Sequence, residues 1–198
     1  MEPLEYRTAD KSSWGLGPWQ DEPDKKQWQD TETGYPCLIV RNNGGALCSY
    51  VGVPESHLLY GVEYNQSHES VRAFWEKAKE GEIGKRGVMS LLTLSLKREG
   101  DLPSLDVIFD VHGSLTFSGP CHESGDPSQG ICHIDPSGDK VHWFGFDCSH
   151  AGDLSPAYQI RYSEIGLHHR DEIYRDLPYV EAEVVNLARQ LKEIEQAA

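Results

Sequence analysis

Residues 36–53 read PCLIVRNNGGALCSYVGV, two apolar runs separated by two asparagines and two glycines. The β-branched and aromatic side chains on both sides suit a pleated surface. The Asn-Gly step between them supplies the positive φ angles that a tight hairpin requires. We therefore expect two antiparallel strands joined by a glycine-rich turn, and a mainly antiparallel sheet built outward from this hairpin.

Two helices are predicted further along the chain. The segment from Ser67 to Gly81 has an N-cap residue at its start, a glycine stop at its end and apolar residues on one face. It predicts a short central helix. From Tyr179 onward, apolar residues recur at alternating steps of four and three, which is typical of an amphipathic helix docked on a core. That C-terminal stripe comprises Val180, Val184, Leu187, Leu191 and Ile194.

Other apolar runs favour further strands, and together the elements predict an α+β fold. These runs are Val88–Leu96, Leu105–His112, Leu115–Ser118 and Asp139–Phe146. The first also fits a buried helical turn, since short apolar runs do not distinguish the two structures. Residues 1–35 lack periodicity and carry three tryptophans among glycine, proline and aspartate, so they predict an irregular Trp-containing arm that packs on the body. Residues 36–198 form a single α+β domain in this interpretation.

The charge balance limits the classes of partner. The chain has 198 residues, 32 acidic and 18 basic, with a formal net charge of −14. Such a field repels phosphate backbones, which argues against direct nucleic-acid binding and allows a basic protein partner. No apolar run approaches the length of a membrane span and the N-terminus does not resemble a signal peptide, so we expect a cytoplasmic protein whose cysteines are thiols or ligands.

Groups that coordinate metals or move protons concentrate between His112 and Asp153. This stretch holds three of the five cysteines and five of the nine histidines. Thiolates and imidazoles are the ligands that zinc prefers, so one hypothesis is a zinc site. Its candidate ligands are Cys121, Cys132, His133, Cys148 and His150. Their spacing departs from the paired pattern of structural zinc sites, so residue type alone supports this hypothesis.

A second hypothesis places His/Asp chemistry in the same stretch. Asp147, His150 and Asp153 recur every three residues, which on a helical turn brings them to one face. With His112 they would form a cluster able to hold Mg²⁺ or Mn²⁺ or to activate water. The alternative is that Asp147 only caps a turn after its strand.

A third hypothesis makes Cys148 a thiol nucleophile. It follows an apolar strand, and a histidine such as His112 or His133 would lower its pKa. The alternative is an unreactive buried thiol.

Several of these segments resemble a family of small proteins encoded by bacteriophages and prophages. The shared segments are Tyr50–Pro54, His112–Thr116 with Ser118–Cys121, Trp143–Asp153, and Tyr179–Glu183 with Leu187-Ala188 and Gln190-Leu191. The resemblance covers most of the chain beyond the arm. It implies a phage origin and a role in the cytoplasm of an infected bacterium, and by analogy an action against host defence; it brings no activity with it.

Two classes of function follow from these expectations. In the first, the cluster is the active site of a metal-assisted hydrolase, with Zn²⁺ or Mg²⁺/Mn²⁺ as cofactor and a small phosphate-containing, nucleotide-like molecule as substrate. His112 and His150 act there as ligand or base, and Asp147 and Asp153 as ligands or orienting groups. In the second, the protein is an acidic binding or inhibitor module that docks on a basic host protein or sequesters a signalling nucleotide, and the Cys/His-rich loop is scaffold.

Overall fold

A six-stranded antiparallel sheet and four helices make up the described part of the fold, which confirms the α+β class. The computed structural model describes residues 2–78, 92, 95, 96, 98, 100–122, 126, 128, 130–132, 140–164 and 171–196. The strands are β1 Leu4–Tyr6, β2 Lys25–Gln29, β3 Pro36–Arg41, β4 Leu47–Pro54, β5 Phe117–Pro120 and β6 Val141–Asp147, in the spatial order β1-β2-β3-β4-β6-β5. The helices are α1 Arg72–Ala78, α2 Leu105–Ile108, α3 Pro156–Glu164 and α4 Leu177–Gln196.

The hairpin predicted over residues 36–53 is present as β3 and β4. The two strands pair with Arg41 opposite Leu47. The side chain of Asn42 closes the turn, because its Oδ1 accepts hydrogen bonds from the backbone N–H groups of Gly44 and Ala46. Gly45 takes a φ of +87°, a conformation that favours glycine. β4 then pairs with β6 on its other side, so the hairpin lies at the centre of the sheet.

The C-terminal helix α4 covers the sheet at β3 and β4. All five residues of its predicted stripe are fully buried, and Asp176 caps its first turn by accepting a hydrogen bond from the Tyr179 N–H. The amphipathic helix is thus confirmed. Neither α4 nor any other helix in the described part of the chain is long and apolar enough to cross a membrane.

The central helix is also present, with a different start. Its first turn is a 3-10 turn, Glu69–Val71, which continues into α1. The N-cap is His68, whose side chain accepts a hydrogen bond from the Ser70 N–H, and Ser67 instead donates its hydroxyl to the Leu102 carbonyl. Phe74 and Trp75 are buried against the core as predicted.

Two of the predicted strands are not found among the described residues. The segment from Leu105 to His112 is not a strand: Leu105–Ile108 form the single helical turn α2, all of whose apolar residues are buried. A short apolar run fits either structure, and here burial is achieved by a helix. Most of the Val88–Leu96 prediction lies outside the described residues.

The N-terminal segment is more regular than predicted. It contributes β1 and β2, and β2 pairs with β3 with Trp28 opposite Cys37. Trp19 is buried and meets the edge of the Tyr174 ring at a centroid distance of 5.0 Å. The prediction of an irregular arm is therefore corrected, because these strands gain their order from pairing across the sheet and not from local periodicity.

Candidate functional site

Three predicted site residues, His112, His150 and Asp153, come together at one edge of the core. The Nε2 atom of His112 lies 2.7 Å from Asp153 Oδ2, and Nδ1 of His150 lies 3.7 Å from the same oxygen. One ligand atom from each side chain falls within 4.8 Å of the other two. The group is therefore able to hold a metal ion.

His112 is fixed from both sides of its ring. Its Nδ1 lies 3.0 Å from the hydroxyl of Tyr179, and its backbone N–H donates to Glu183 Oε2. When Nε2 carries the proton donated to Asp153, Nδ1 is the acceptor for the Tyr179 hydroxyl. Both partners come from α4, so the C-terminal helix sets the position of a histidine far away in sequence.

His150 and Asp153 belong to one tight turn that follows β6. The Asp153 N–H donates to the His150 carbonyl, and the His150 N–H donates to Asp153 Oδ2 at 3.1 Å. Gly152 supplies the positive φ of +95° within the turn. The predicted three-residue spacing thus acts through a turn and not through a helix.

Asp153 is the electrostatic centre of the site. Its carboxylate is almost fully buried and also accepts a hydrogen bond from Arg175 Nε at 2.8 Å. Burial alone would raise the pKa of Asp153, but the interactions with His112, His150 and Arg175 outweigh it and hold that pKa well below its usual range. Asp153 therefore stays ionised.

The same carboxylate acts on His150. Its proximity raises the pKa of His150 above the ordinary value, against the opposing effect of burial. His150 Nδ1 lies too far from Asp153 for a hydrogen bond and has no hydrogen-bond partner in the described part of the chain. The His150 ring therefore keeps a nitrogen that is free to bind a ligand.

Metal binding requires a small opening of the site. Two ligands of a tetrahedral ion with bonds of about 2.0–2.1 Å lie about 3.3 Å apart. The contact between His112 and Asp153 is a direct hydrogen bond of 2.7 Å. An ion would replace that hydrogen bond and separate the two atoms by about 0.6 Å, a movement within the range of side-chain torsions.

A groove leads to the site. It has a volume of about 280 Å³ and is bordered by the turn after β6 and by α3. Its lining residues are Ser149, His150, Ala151, Asp153, Ser155, Tyr158, Gln159, Tyr162 and Glu172. The side chain of His150 is 31% exposed and faces this groove. Asp153 contributes to the lining although its carboxylate is almost fully buried, and His112 is not a lining residue.

A larger groove, of about 460 Å³, lies between the N-terminal segment and the β3–β4 turn. Its charged groups are already paired: Asp24 accepts hydrogen bonds from the Thr8 and Ala9 N–H groups and from Arg41 Nε. Lys11 forms an ion pair with the same carboxylate. We therefore assign the candidate chemistry to the smaller groove.

Asp147 does not join the cluster. Its Oδ1 accepts from the Ser149 N–H and its Oδ2 accepts from the Thr116 hydroxyl, which is the arrangement of a turn cap. The structure therefore favours the capping role over the predicted role as catalytic residue or metal ligand. Side chains alternate along β6, so Asp147 points away from the face that carries Phe146 and Cys148.

Cys148 is placed as a core residue. It is 2% exposed, and burial raises its pKa far above that of a free thiol, with the nearby Asp153 carboxylate adding to the effect. A nucleophilic cysteine needs a thiolate and access to the substrate. The structure corrects the prediction of a reactive thiol or zinc ligand at this position.

The remaining predicted zinc ligands are also accounted for. Cys121 and Cys132 are joined in a disulfide, with their Cα atoms 5.0 Å apart, so neither has a thiolate to offer a metal. This pairing corrects the expectation of free thiols or ligands for these two residues. His133 lies outside the described residues.

Three residues around the triad were not predicted: Arg175, Tyr179 and Glu183. Glu183 left a signal, because it lies on the apolar face of α4 between Val180 and Val184 and is 2% exposed. A charged residue on a buried face usually has a specific partner. The guanidinium of Arg175 stacks 5.1 Å above the Tyr179 ring, and nothing in the sequence pattern indicated this role.

Comparison of the chain with protein-family models, with curated proteins and with solved structures returned no match. The site is therefore interpreted from its own geometry.

Proposed function

We propose that this protein is a metal-dependent hydrolase whose ion is held by His112, His150 and Asp153. The observation that carries the proposal is the convergence of these three ligand atoms within 4.8 Å beside a groove. Two imidazoles and one carboxylate form a donor set that zinc uses in hydrolytic sites, where a water molecule takes the fourth position. Mg²⁺ prefers oxygen ligands, so Zn²⁺ fits this set better.

The surrounding residues would support such an ion. With Nε2 of His112 bound to the ion, Nδ1 would carry the ring proton and donate it to the Tyr179 hydroxyl oxygen, which is the usual role of an outer partner of a ligating histidine. Arg175 binds the second oxygen of Asp153, so one carboxylate oxygen is left for the ion. Zn²⁺ would supply Lewis acidity and lower the pKa of its bound water.

The proposed substrate is a small phosphate-containing, nucleotide-like molecule, and the proposed setting is the cytoplasm of a phage-infected bacterium, where its cleavage would counter host defence. The substrate's size rests on the groove volume of about 280 Å³. The setting rests on the resemblance of the sequence segments to phage proteins. A bound Zn²⁺ would add local positive charge to a chain of net charge −14 and so admit an anionic phosphate.

Zinc titration tests this proposal. We expect the protein to bind Zn²⁺ at a one-to-one ratio by isothermal titration calorimetry, and His150→Ala or Asp153→Ala to weaken binding at least about 100-fold, because each removes a ligand. His122→Ala is the matched control, since His122 is exposed and outside the triad. Asp147→Ala should also leave zinc affinity unchanged, because Asp147 caps a turn.

If zinc binding is absent, or survives both triad substitutions, the proposal of a metal-dependent hydrolase is wrong. Loss of binding in the His122→Ala control would place the ion elsewhere.

A second candidate function is a non-enzymatic binding module. It is favoured by the hydrogen bonds that Asp153 accepts from His112, His150 and Arg175, because a carboxylate that only stabilises the fold would have the same partners. The net charge of −14 would then direct the protein to a basic host partner. In a host-defence assay, surface charge reversals such as Glu76→Lys should abolish this function, whereas His150→Ala should abolish only the hydrolase.

A further inference from the structure

We propose that the groove beside His150 binds a small molecule through a planar aromatic ring, which lies against Tyr158 and Tyr162 of α3. This inference rests on the proposed function, because it assigns a substrate class to the same groove. It adds that recognition depends on the ring and not only on the group that is cleaved.

The two tyrosines form an exposed aromatic surface at the groove. They are one helical turn apart, their ring centroids are separated by 6.1 Å, and both line the groove with His150. Tyr158 is 42% and Tyr162 39% exposed, and Tyr60 is the one other Tyr, Trp or Phe side chain in the described residues that is as exposed. Tyrosine faces favour stacking with planar rings and cations.

Tyr158 is held in place before any ligand arrives. Its ring lies against the backbone of Gly44, where an added Cβ would come within 2.7 Å of the ring. The Ala157 N–H donates to the Gly44 carbonyl at 3.0 Å, and Pro156 borders Gly45. The start of α3 is thus attached to the central hairpin turn, so little side-chain entropy is lost when a ring stacks on Tyr158.

The rest of the lining suits the edge of such a ring. Ser149, Ser155 and Gln159 offer hydrogen-bond donors and acceptors around the groove. Its volume of about 280 Å³ lies at the lower end for small-molecule sites, which fits one ring system with a short substituent.

Three probes test the inference: adenosine monophosphate, adenosine and ribose 5-phosphate. The first and third carry the same phosphate and differ by the base. We expect calorimetry and saturation-transfer NMR to show adenosine monophosphate binding at least about ten-fold more tightly than ribose 5-phosphate, with adenosine also binding, since stacking of one base contributes about this factor. The measurements are made with and without Zn²⁺.

Variants then locate the ring. Tyr158→Ala and Tyr162→Ala should each reduce the preference for the base several-fold, Tyr158→Phe should restore it because the ring is retained, and Tyr60→Ala should have no effect because Tyr60 is similarly exposed but outside the groove. Circular dichroism checks that each variant is folded.

The outcomes separate this inference from the proposed function. Equal affinity for adenosine monophosphate and ribose 5-phosphate, failure of both adenosine compounds to bind at millimolar concentration, or no effect of the tyrosine variants would overturn the inference while zinc binding stands. Ring-dependent binding that persists in a protein unable to bind Zn²⁺ would support the inference and overturn only the metal-dependent hydrolase.

Discussion

Gly113 is the residue on which the position of His150 depends most directly. Its backbone has a φ of +67°, and a Cβ built at this position would lie 2.1 Å from Cε1 of the His150 ring. The imidazole therefore rests on the Gly113 backbone, in space that any side chain would fill. The neighbouring Ser114 also has a positive φ, of 81°, which marks this turn as strained.

We predict that Gly113→Ala displaces the His150 ring and weakens Zn²⁺ binding at least about ten-fold. The backbone cost of an alanine at positive φ is about 1–2 kcal/mol, which lowers stability without unfolding the protein. Calorimetric titration measures the affinity, and urea unfolding measures the stability.

Gly34→Ala is the matched control for this substitution. Gly34 has a φ of +77°, but no atom lies within 4 Å of a Cβ built there. It should therefore show a similar loss of stability with zinc affinity unchanged. Equal zinc affinity in both variants would mean that the ring does not depend on Gly113.

At the residue level, the sequence predicted the type of side chain better than its role. His112, His150 and Asp153 were among the predicted residues, and they do meet. Asp147 has the same spacing from His150 as Asp153 has, and nothing in the sequence distinguishes the two carboxylates. The alternation of side chains along β6 leaves Asp147 to cap a turn, whereas the turn after β6 directs Asp153 toward His112 and the core.

At the level of elements, helix α4 connects the fold to the site. One face buries the apolar stripe on β3 and β4, and its first two turns bring Tyr179 and Glu183 to His112. Because α4 is packed on the core, these two hydrogen bonds fix the position of His112. The periodicity of the stripe predicted the helix but not its contacts with His112, because His112 is remote from α4 in sequence.

Tyr179→Phe tests this connection. Removal of the hydroxyl leaves Nδ1 of His112 without its partner, so we expect zinc affinity to fall about 10-fold, the lower end for loss of an outer partner of a ligating histidine. The ring of Phe still packs beside Arg175, so stability should change by no more than about 1–2 kcal/mol.

Tyr64→Phe provides the comparison, since Tyr64 also packs partly buried against the core but lies outside the site. An unchanged zinc affinity in Tyr179→Phe would show that α4 does not orient the ligand.

At the level of the whole molecule, the sheet was predictable where local signals agree. The central hairpin has apolar runs, a glycine turn and an asparagine that closes it, and each of these indicates the same structure. The N-terminal strands β1 and β2 have no such pattern. Lys25 is almost fully buried in β2 and donates to the Cys132 carbonyl, a contact across 107 positions of sequence that local reasoning does not supply.

Two buried histidines make the stability of the folded protein depend on pH. His57 Nε2 lies 3.0 Å from the Leu191 carbonyl and its Nδ1 accepts the Leu59 N–H, while His142 Nε2 lies 3.1 Å from the Val62 carbonyl. Burial lowers the pKa of both below 6.5, and the hydrogen bonds to these carbonyls and the nearby carboxylates of Glu195 and Glu63 only partly offset it. Both rings are therefore neutral in the fold at a pH where the unfolded chain binds protons.

The sign of the effect follows from proton linkage. As the pH falls through about 6.5, the unfolded state takes up protons that the folded state does not, so the free energy of unfolding decreases by up to about 1.4 kcal/mol per pH unit for each histidine. His150 acts in the opposite sense, because its pKa is raised. Its contribution to the free energy of unfolding is complete below about pH 6.5 and is lost as the pH rises through the raised pKa.

With two histidines against one, we expect urea unfolding to show a net loss of stability from about pH 7 to about pH 5. NMR titration of the ring protons would assign the loss to His57 and His142. A free energy of unfolding that stays constant or increases over this interval would contradict the buried neutral state of both rings.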